Sequence, residues 1–507
     1  MSAQTQRRKR KSMGNFSPSK MIVLFVFCAV AAIAASAQTL TTIADFTFSE
    51  GMDPDAPLVQ GINGNLYGTT AAGGSSTRCR LNGLPYGCGT LFEITPAGTM
   101  TTIHRFDNTD GVTPEGLVQA SNGGFYGTTI YGGANGDGTV FNISPTGKLT
   151  TLDSFCSQIN CIDGRYPTPQ LVLGINGNFY GATYGGGSNG QGTIFQVTPG
   201  GKLSTLYSFC SQANCTDGSG PGGLMLATSG AFYGVTSTGG ANLGGTIFEI
   251  TPAGKLSTLY SFCSQANCTD GYGPSAVVQA SNGTFYGVTN QGGANCLTGL
   301  PSGCGTVFEI TPKGVLKTLY SFCSQTNCSD GSNPNGLIQA TDGNLYGTTS
   351  TGGLSGNWGT IFEITSAGTL TTLHQFCSQT NCEDGAGPQS GLMQATDGNF
   401  YGTTGEGGSD CIGSAGCGSV FSLSMGLSPF VEALPNFGKA GGVVGILGSD
   451  LTGAITVSFN GTPATRFTVI SKTLIKATVP ESATTGTIDV TMPTGTLSSN
   501  IAFRILP

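Results

Sequence analysis

His104 and His374 are the only histidines in this 507-residue chain, so any Ser-His-Asp or Cys-His mechanism must run through one of them. Both fall at a repeated position that elsewhere holds Tyr207, Tyr260 and Tyr320. A position that takes His or Tyr interchangeably reads as a packing site, which leaves no nucleophile–base pair and no catalytic residue. Glu93, Glu249, Glu309 and Glu363 share one strand position, held in other units by Asn142, Gln196 and Ser422. That exchange reads as a solvated strand face rather than as paired catalytic carboxylates. Asp163, Asp217, Asp270, Asp330 and Asp384 each stand in C-x-D-G, and two readings are open for them. One is an Asp-Gly turn whose carboxylate bonds its own loop. The other is a calcium ligand, because a hard cation takes carboxylate and carbonyl oxygens. No other cofactor is implied. Three residues stand apart from the repeated pattern and are candidate ligand contacts: Trp358, the only Trp, and Glu406 and Asp410 in a Gly-rich loop.

Seventeen cysteines are present. Five pairs share C-S-Q-x-N-C, namely Cys156/Cys161, Cys210/Cys215, Cys263/Cys268, Cys323/Cys328 and Cys377/Cys382. Three more, Cys79/Cys88, Cys296/Cys304 and Cys411/Cys417, lie in Gly-rich insertions. Zinc sites favour C-x₂₋₄-C pairs completed by further Cys or His, and neither histidine is spaced to complete one. Close, even-numbered pairs read as disulfides that brace short loops, which requires an oxidising compartment. The unpaired Cys28 belongs to residues 1–37, which read as a secretory signal. Arg7 to Lys11 is basic, Met21 to Ala35 is apolar, and Ala35-Ser36-Ala37 is a cleavage site. An uncleaved N-terminal anchor is the alternative, but the apolar run is shorter than the ~20 residues that span a bilayer. Those 37 residues carry six Lys/Arg and no Asp/Glu, so 14 basic against 27 acidic residues remain, a net charge of −13. Such a chain is expected to avoid nucleic acid and anionic membranes.

The elements that hold these residues are repeats. Y-G-x-T-x-x-G-G occurs seven times, at Tyr67, Tyr126, Tyr180, Tyr233, Tyr286, Tyr346 and Tyr401. Each is followed by G-T-Φ-F or a close variant, ending at Phe92, Phe141, Phe195, Phe248, Phe308, Phe362 and Phe421. Each unit offers four short β-type runs bounded by turn residues; in the sixth they are Gly336–Ala340, Asn344–Thr349, Gly359–Thr365 and Thr369–Phe376. Seven four-stranded units predict a seven-bladed β-propeller over residues 38–424. The segment Leu40–Phe46 matches a fourth run, and the last unit stops after its third, so the N-terminal strand is expected to close the last blade. All cysteine pairs then fall on one face, with the tight turns on the other. The recurring tyrosines, always before Gly, read as blade-to-blade packing rather than sugar platforms. Residues 425–507 alternate in runs such as Gly442–Leu447, Ala454–Phe459, Thr473–Val479 and Thr487–Met492, which predicts a small β-sandwich.

The block Y-G-T-T-x-x-G-G…G-T-I-F-E-I-T-P-x-G resembles the GloVer tandem repeat of bacterial exported proteins, over about residues 40–424. The resemblance implies an exported repeat protein with varied surface anchors and no established activity. The string V-G-I-L-G-S-D-L-T-G-A-I-T-V-S-F-N-G-T-P-A resembles an IPT/TIG domain, an immunoglobulin-like fold, which implies a spacer or protein-contact module without catalytic residues. The chain ends in Arg504-Ile505-Leu506-Pro507 without an apolar anchor, so release to the outside or to a periplasm is expected. These readings converge on an exported, monomeric, non-enzymatic scaffold, at the cell surface or outside it. It would bind an extracellular protein or glycan through its disulfide-braced loops. A glycan lyase or hydrolase on that face, and adhesion through the sandwich, are the alternatives.

Overall fold

In a computed structural model, residues 38–74, 78–81, 84–144, 147–295, 304–408 and 416–507 are described. The expected signal segment, Cys296, Asp410 and Cys411 lie outside them. The described residues form an all-β ring of seven blades followed by a β-sandwich. Among them, no helix is long and apolar enough to cross a membrane.

Each blade is an antiparallel sheet, and in the first six the strands run in chain order. In the fourth blade these are Ser219–Leu226, Phe232–Thr238, Thr246–Ile250 and Leu256–Ser261. First strands of neighbouring blades meet one another, as Ser219–Leu226 meets Tyr272–Gln279, so they line the centre of the ring. The sixth blade's first strand is Ser332–Gln339, four residues longer at its start than the sequence pattern implies. The reason is a register shift between Pro334 and Gly336, which breaks the alternation that marks a strand.

The expected closure is observed. Strand Thr39–Asp45 pairs antiparallel with Ser419–Ser424 and completes the seventh blade. The seam between the seventh and first blades uses the contacts found at every other seam. In each blade a glycine opening the third strand leaves no room for a side chain against the next blade's proline. A Cβ would lie 2.5 Å from Pro114 Cδ at Gly89 and 2.8 Å from Pro54 Cδ at Gly418. Beside it, the residue before that proline donates its N–H to the preceding blade: Thr113 to Cys88 O at 3.0 Å, Asn333 to Cys304 O at 3.0 Å, Asp53 to Cys417 O at 3.3 Å. The repeated tyrosines do pack between blades. Tyr126 stacks on Phe179 at 3.9 Å and Tyr233 on Phe285 at 4.2 Å, while Tyr180 lies 4.2 Å from Phe232, centroid to centroid. Buried aromatics and aliphatics of adjacent blades thus form continuous clusters around the ring.

The C-terminal module has two four-stranded sheets face to face. One contains Val443–Leu447 and Leu474–Thr478, the other Thr456–Phe459 and Ile488–Met492. Val444, Ile446, Ile475, Val457, Val490 and Phe503 fill the space between them. The sandwich is seated on the tight-turn face of the ring. Thr473 Oγ1 donates to Ile62 O (3.0 Å) in the first blade and Asn500 Nδ2 to Gln339 O (3.1 Å) in the sixth. Arg504 donates to Ser229 O (3.2 Å) in the fourth blade, and Phe430 N–H to Thr396 O (3.0 Å) in the seventh. Contacts on both sides of the ring make the sandwich a cover for that end of the centre.

A candidate functional site at the loop-face end of the ring

The loops that join blades sit on the opposite face and share one construction. Among the described residues five disulfides are formed there, Cys156–Cys161, Cys210–Cys215, Cys263–Cys268, Cys323–Cys328 and Cys377–Cys382, and a sixth, Cys79–Cys88, lies between the second and third strands of the first blade. Cys304 is buried and Cys417 is disulfide-bonded, while the expected partners Cys296 and Cys411 are outside the described residues. In the fourth-to-fifth loop, Asp270 Oδ2 accepts from the Tyr260 hydroxyl (2.8 Å) and from the Ser264 N–H and hydroxyl (2.9 Å each). Its Oδ1 accepts from the Gln265 N–H at 3.2 Å. Asp163, Asp217, Asp330 and Asp384 repeat the backbone part of this arrangement. The five aspartates are thus each tied to donors of their own loop, as the Asp-Gly turn reading expects.

The histidines belong to the same locks, which corrects the packing reading. His374 Nε2 donates to Asp384 Oδ2 at 3.0 Å, and His104 Nε2 to Asp110 Oδ2 at 2.7 Å. Both do what the Tyr260 hydroxyl does, while their rings still pack edge-on against Phe376 and Phe106. Burial alone would raise the Asp384 carboxyl, but the bonds from His374, Ser378 and Gln379 outweigh it and hold the group down at about 2. Asp110 and Glu50 complete the set without cysteines, Glu50 accepting from the Thr47 N–H (3.2 Å) and hydroxyl (2.7 Å). Sequence reasoning missed these two because it keyed on C-x-D-G; the acid-Gly pair alone would have found them. The Glu93 position is not simply solvated, since its carboxylate accepts from Asn63, Asn65 and the Tyr67 hydroxyl.

Where the repeat is broken, the loop-face end of the centre acquires character. Tyr131 and Tyr184, at the ends of second strands, are 48% and 57% exposed. The Tyr131 ring meets Tyr166 edge-on at 5.4 Å, and the Arg165 guanidinium lies 5.1 Å from the Tyr166 centroid. The Tyr184 ring reaches Gly220 of the next blade, where a Cβ would lie 3.0 Å from its Cε2. On the opposite flank, Trp358 is 36% exposed, and its carbonyl accepts the Gly387 N–H at 2.8 Å. Ala386 pairs with Glu406, so two of the three residues singled out in sequence come to one seam.

Between these flanks lie carboxylates that the sequence reading did not single out. Asp53 precedes and Asp55 follows the proline of the first blade, and Glu115 follows that of the second. The Tyr86 hydroxyl donates to Asp53 Oδ2 at 3.0 Å. Burial, then the charge of Asp55, pushes Glu115 up to about 8; burial likewise takes Asp55 up to about 6, with Asp53 adding to it. Glu406 is raised by burial and then by Asp53, which places it in the same field. The backbone before each proline is strained. Asp53, Thr113, Tyr166 and Asn333 hold φ of 54° to 56°, in the left-handed region where Gly220, Gly273 and Gly387 stand in the other blades. A β-branched residue there is uncommon, and such strain concentrates at functional positions.

Comparison with known proteins bears on the architecture. The model of the Gloeobacter/Verrucomicrobia repeat matches residues 78–300 and 296–453, and that of the IPT/TIG domain matches 430–505. Among solved structures, virginiamycin B lyase from Staphylococcus aureus is 13% identical at a TM-score of 0.49, covering 76% of this chain and 99% of that one. The extracellular domain assigned to a hybrid two-component system of B. thetaiotaomicron is 10% identical at a TM-score of 0.48, covering 92% of this chain and 54% of that one. PorZ of Porphyromonas gingivalis is 13% identical at 0.44, covering 89% and 59%. No curated protein matches the chain.

Proposed function

From the premise that the chain belongs to the Gloeobacter/Verrucomicrobia repeat family and ends in an IPT/TIG domain, we propose that it is an exported, non-enzymatic binding protein that captures a glycan at the loop-face end of its ring. The carrying observation is the exposed tyrosine strip on the second and third blades, Tyr131 and Tyr184 flanking Tyr166. The same motif builds seven similar blades, yet these tyrosines are specific to two of them. Aromatic faces beside hydroxyls and carboxylates suit a polyhydroxylated ligand, whose C–H faces stack while its hydroxyls bond. The six disulfides support an oxidising, extracytoplasmic location. With the tight-turn end under the sandwich, a ligand would approach from the loop face.

The test is a polysaccharide and glycan binding screen on the oxidised protein, repeated with Tyr184→Ala and Trp358→Ala. Saturable binding that Tyr184→Ala weakens about tenfold or more supports the reading. A blank screen, or binding that neither variant affects, refutes it.

A further inference from the structure

Where the sandwich meets the ring, a cavity of about 190 Å³ is left between the first blade, the seventh blade and two sandwich loops. It lies across the seam that closes the ring, where the Thr396 N–H donates to Gln60 Oε1 at 3.0 Å. The same bond recurs at other seams, from Thr228 to Gln279 and from Thr341 to Gln394. Here it is roofed by Asp450 and Lys472 of the sandwich, with Thr396 and Ser449 hydroxyls 3.2 Å apart beside it. The ring's own polar walls are held in place by their turns. Asn63 Nδ2 and Asn65 Nδ2 donate to Glu93 Oε1 at 2.8 and 2.6 Å. Asp397 Oδ2 accepts from the Tyr401 hydroxyl at 2.8 Å and from Asn399 Nδ2 at 3.1 Å. Leu66 and Pro96 add apolar surface to the same cavity.

With amide hydrogens of Asn63 and Asn65 spent on Glu93, these walls offer mainly acceptor oxygens, on the two amides and on Asp397 and Asp450. Lys472 adds one ammonium donor. That set suits a ligand with several hydroxyls, which donate to the oxygens and accept from the ammonium. Charges of both signs in one cavity favour a neutral ligand over an ion, and the Leu66 and Pro96 surface suits its C–H groups. The volume is below the ~300 Å³ at which drug-sized sites begin, so one ring enters and a chain does not. We infer that the cavity binds a single neutral pyranose unit, free or at the end of a longer glycan. This second sugar site shares no residue with the tyrosine strip on the loop face. A sugar seated there touches both ends of the ring and the sandwich at once. It therefore stabilises the closed seam and the docked sandwich together.

Glucose, galactose, mannose and N-acetylglucosamine are each titrated calorimetrically into the oxidised full chain, and melting is followed alongside. Saturable binding of at least one sugar and a Tm that rises with its concentration are expected. Lys472→Ala and Asp450→Asn each weaken that binding about tenfold. Both side chains are exposed, so the variants melt like the parent when no sugar is present. Tyr184→Ala leaves the affinity unchanged, which separates this cavity from the loop-face site. No binding of any of the four sugars overturns the inference, as does binding that Tyr184→Ala abolishes and Lys472→Ala leaves intact. Tighter binding of ethanolamine than of every sugar overturns the assignment to a neutral ligand.

Discussion

Replacing Asp384 by Asn tests whether the buried acids of the inter-blade loops are local locks. The side chain is fully buried and accepts from His374 Nε2 (3.0 Å), the Ser378 N–H (3.0 Å) and hydroxyl (2.7 Å), and the Gln379 N–H (3.2 Å). Its pKa is held from 3.8 down to about 2 against the opposing effect of burial. At ~1.4 kcal/mol per unit, the ionised carboxylate is favoured over a neutral one by about 2 kcal/mol. That stability is fully present above pH ~4 and is lost as the pH falls through about 2. Asn is neutral at every pH, so Asp384→Asn forfeits it at neutrality. The segment Cys377–Gly385 should open about 30-fold more readily, the factor that 2 kcal/mol represents. Hydrogen exchange by mass spectrometry reads this directly, with the Ser378 and Gln379 amides as reporters. The matching loop at Asp330 serves as an internal control. Unchanged protection in Cys377–Gly385 would refute the lock, as would an equal loss in every blade, which would mean global destabilisation.

Two further outcomes are expected. Gly418→Ala, at φ 91° with a Cβ 2.2 Å from Thr404 O and 2.8 Å from Pro54 Cδ, should cost about 2 kcal/mol or more and lower the Tm; an unchanged melt would show that this seam does not need its glycine. Cys263→Ser with Cys268→Ser opens a loop of sequence separation 5 and should cost at most about 2 kcal/mol, leaving the far-ultraviolet circular dichroism unchanged; a collapse of the fold would give the disulfides a larger part than loop bracing.

What repeats was legible in the sequence, and what breaks the repeat was not. Tyr126 and its six equivalents recur before Gly with near-constant spacing, so blade count, closure and inter-blade packing follow from periodicity alone. The start of Ser332–Gln339 was hidden by Pro334 and the shifted register, because strand recognition depends on unbroken alternation. His374 looked like packing because His and Tyr alternate there; what they have in common is a polar atom at one reach from Asp384. Tyr131, Tyr184, Asp55 and Glu115 lie far apart in the chain and match no motif, so only the ring brings them together. Comparing the seven units for the positions where each departs from the others would have flagged all four. The seating of the sandwich depends on contacts such as Thr473 with Ile62, which no pattern within either module encodes.

The strand swap also sets an order of events. Thr39 pairs with Ser424, so the first strand to be synthesised stays without its partner until the last blade exists. Blades one to six can each condense from contiguous chain, with low local loop-closure cost. The ring itself is completed by one contact of very high sequence separation, the slow kind. Until then, Thr39–Asp45 and Ser419–Ser424 are two complementary open edges. At high concentration, the strand of one chain can finish the seventh blade of another. Slow, dilute maturation therefore favours closed single rings, and crowding favours exchanged ones.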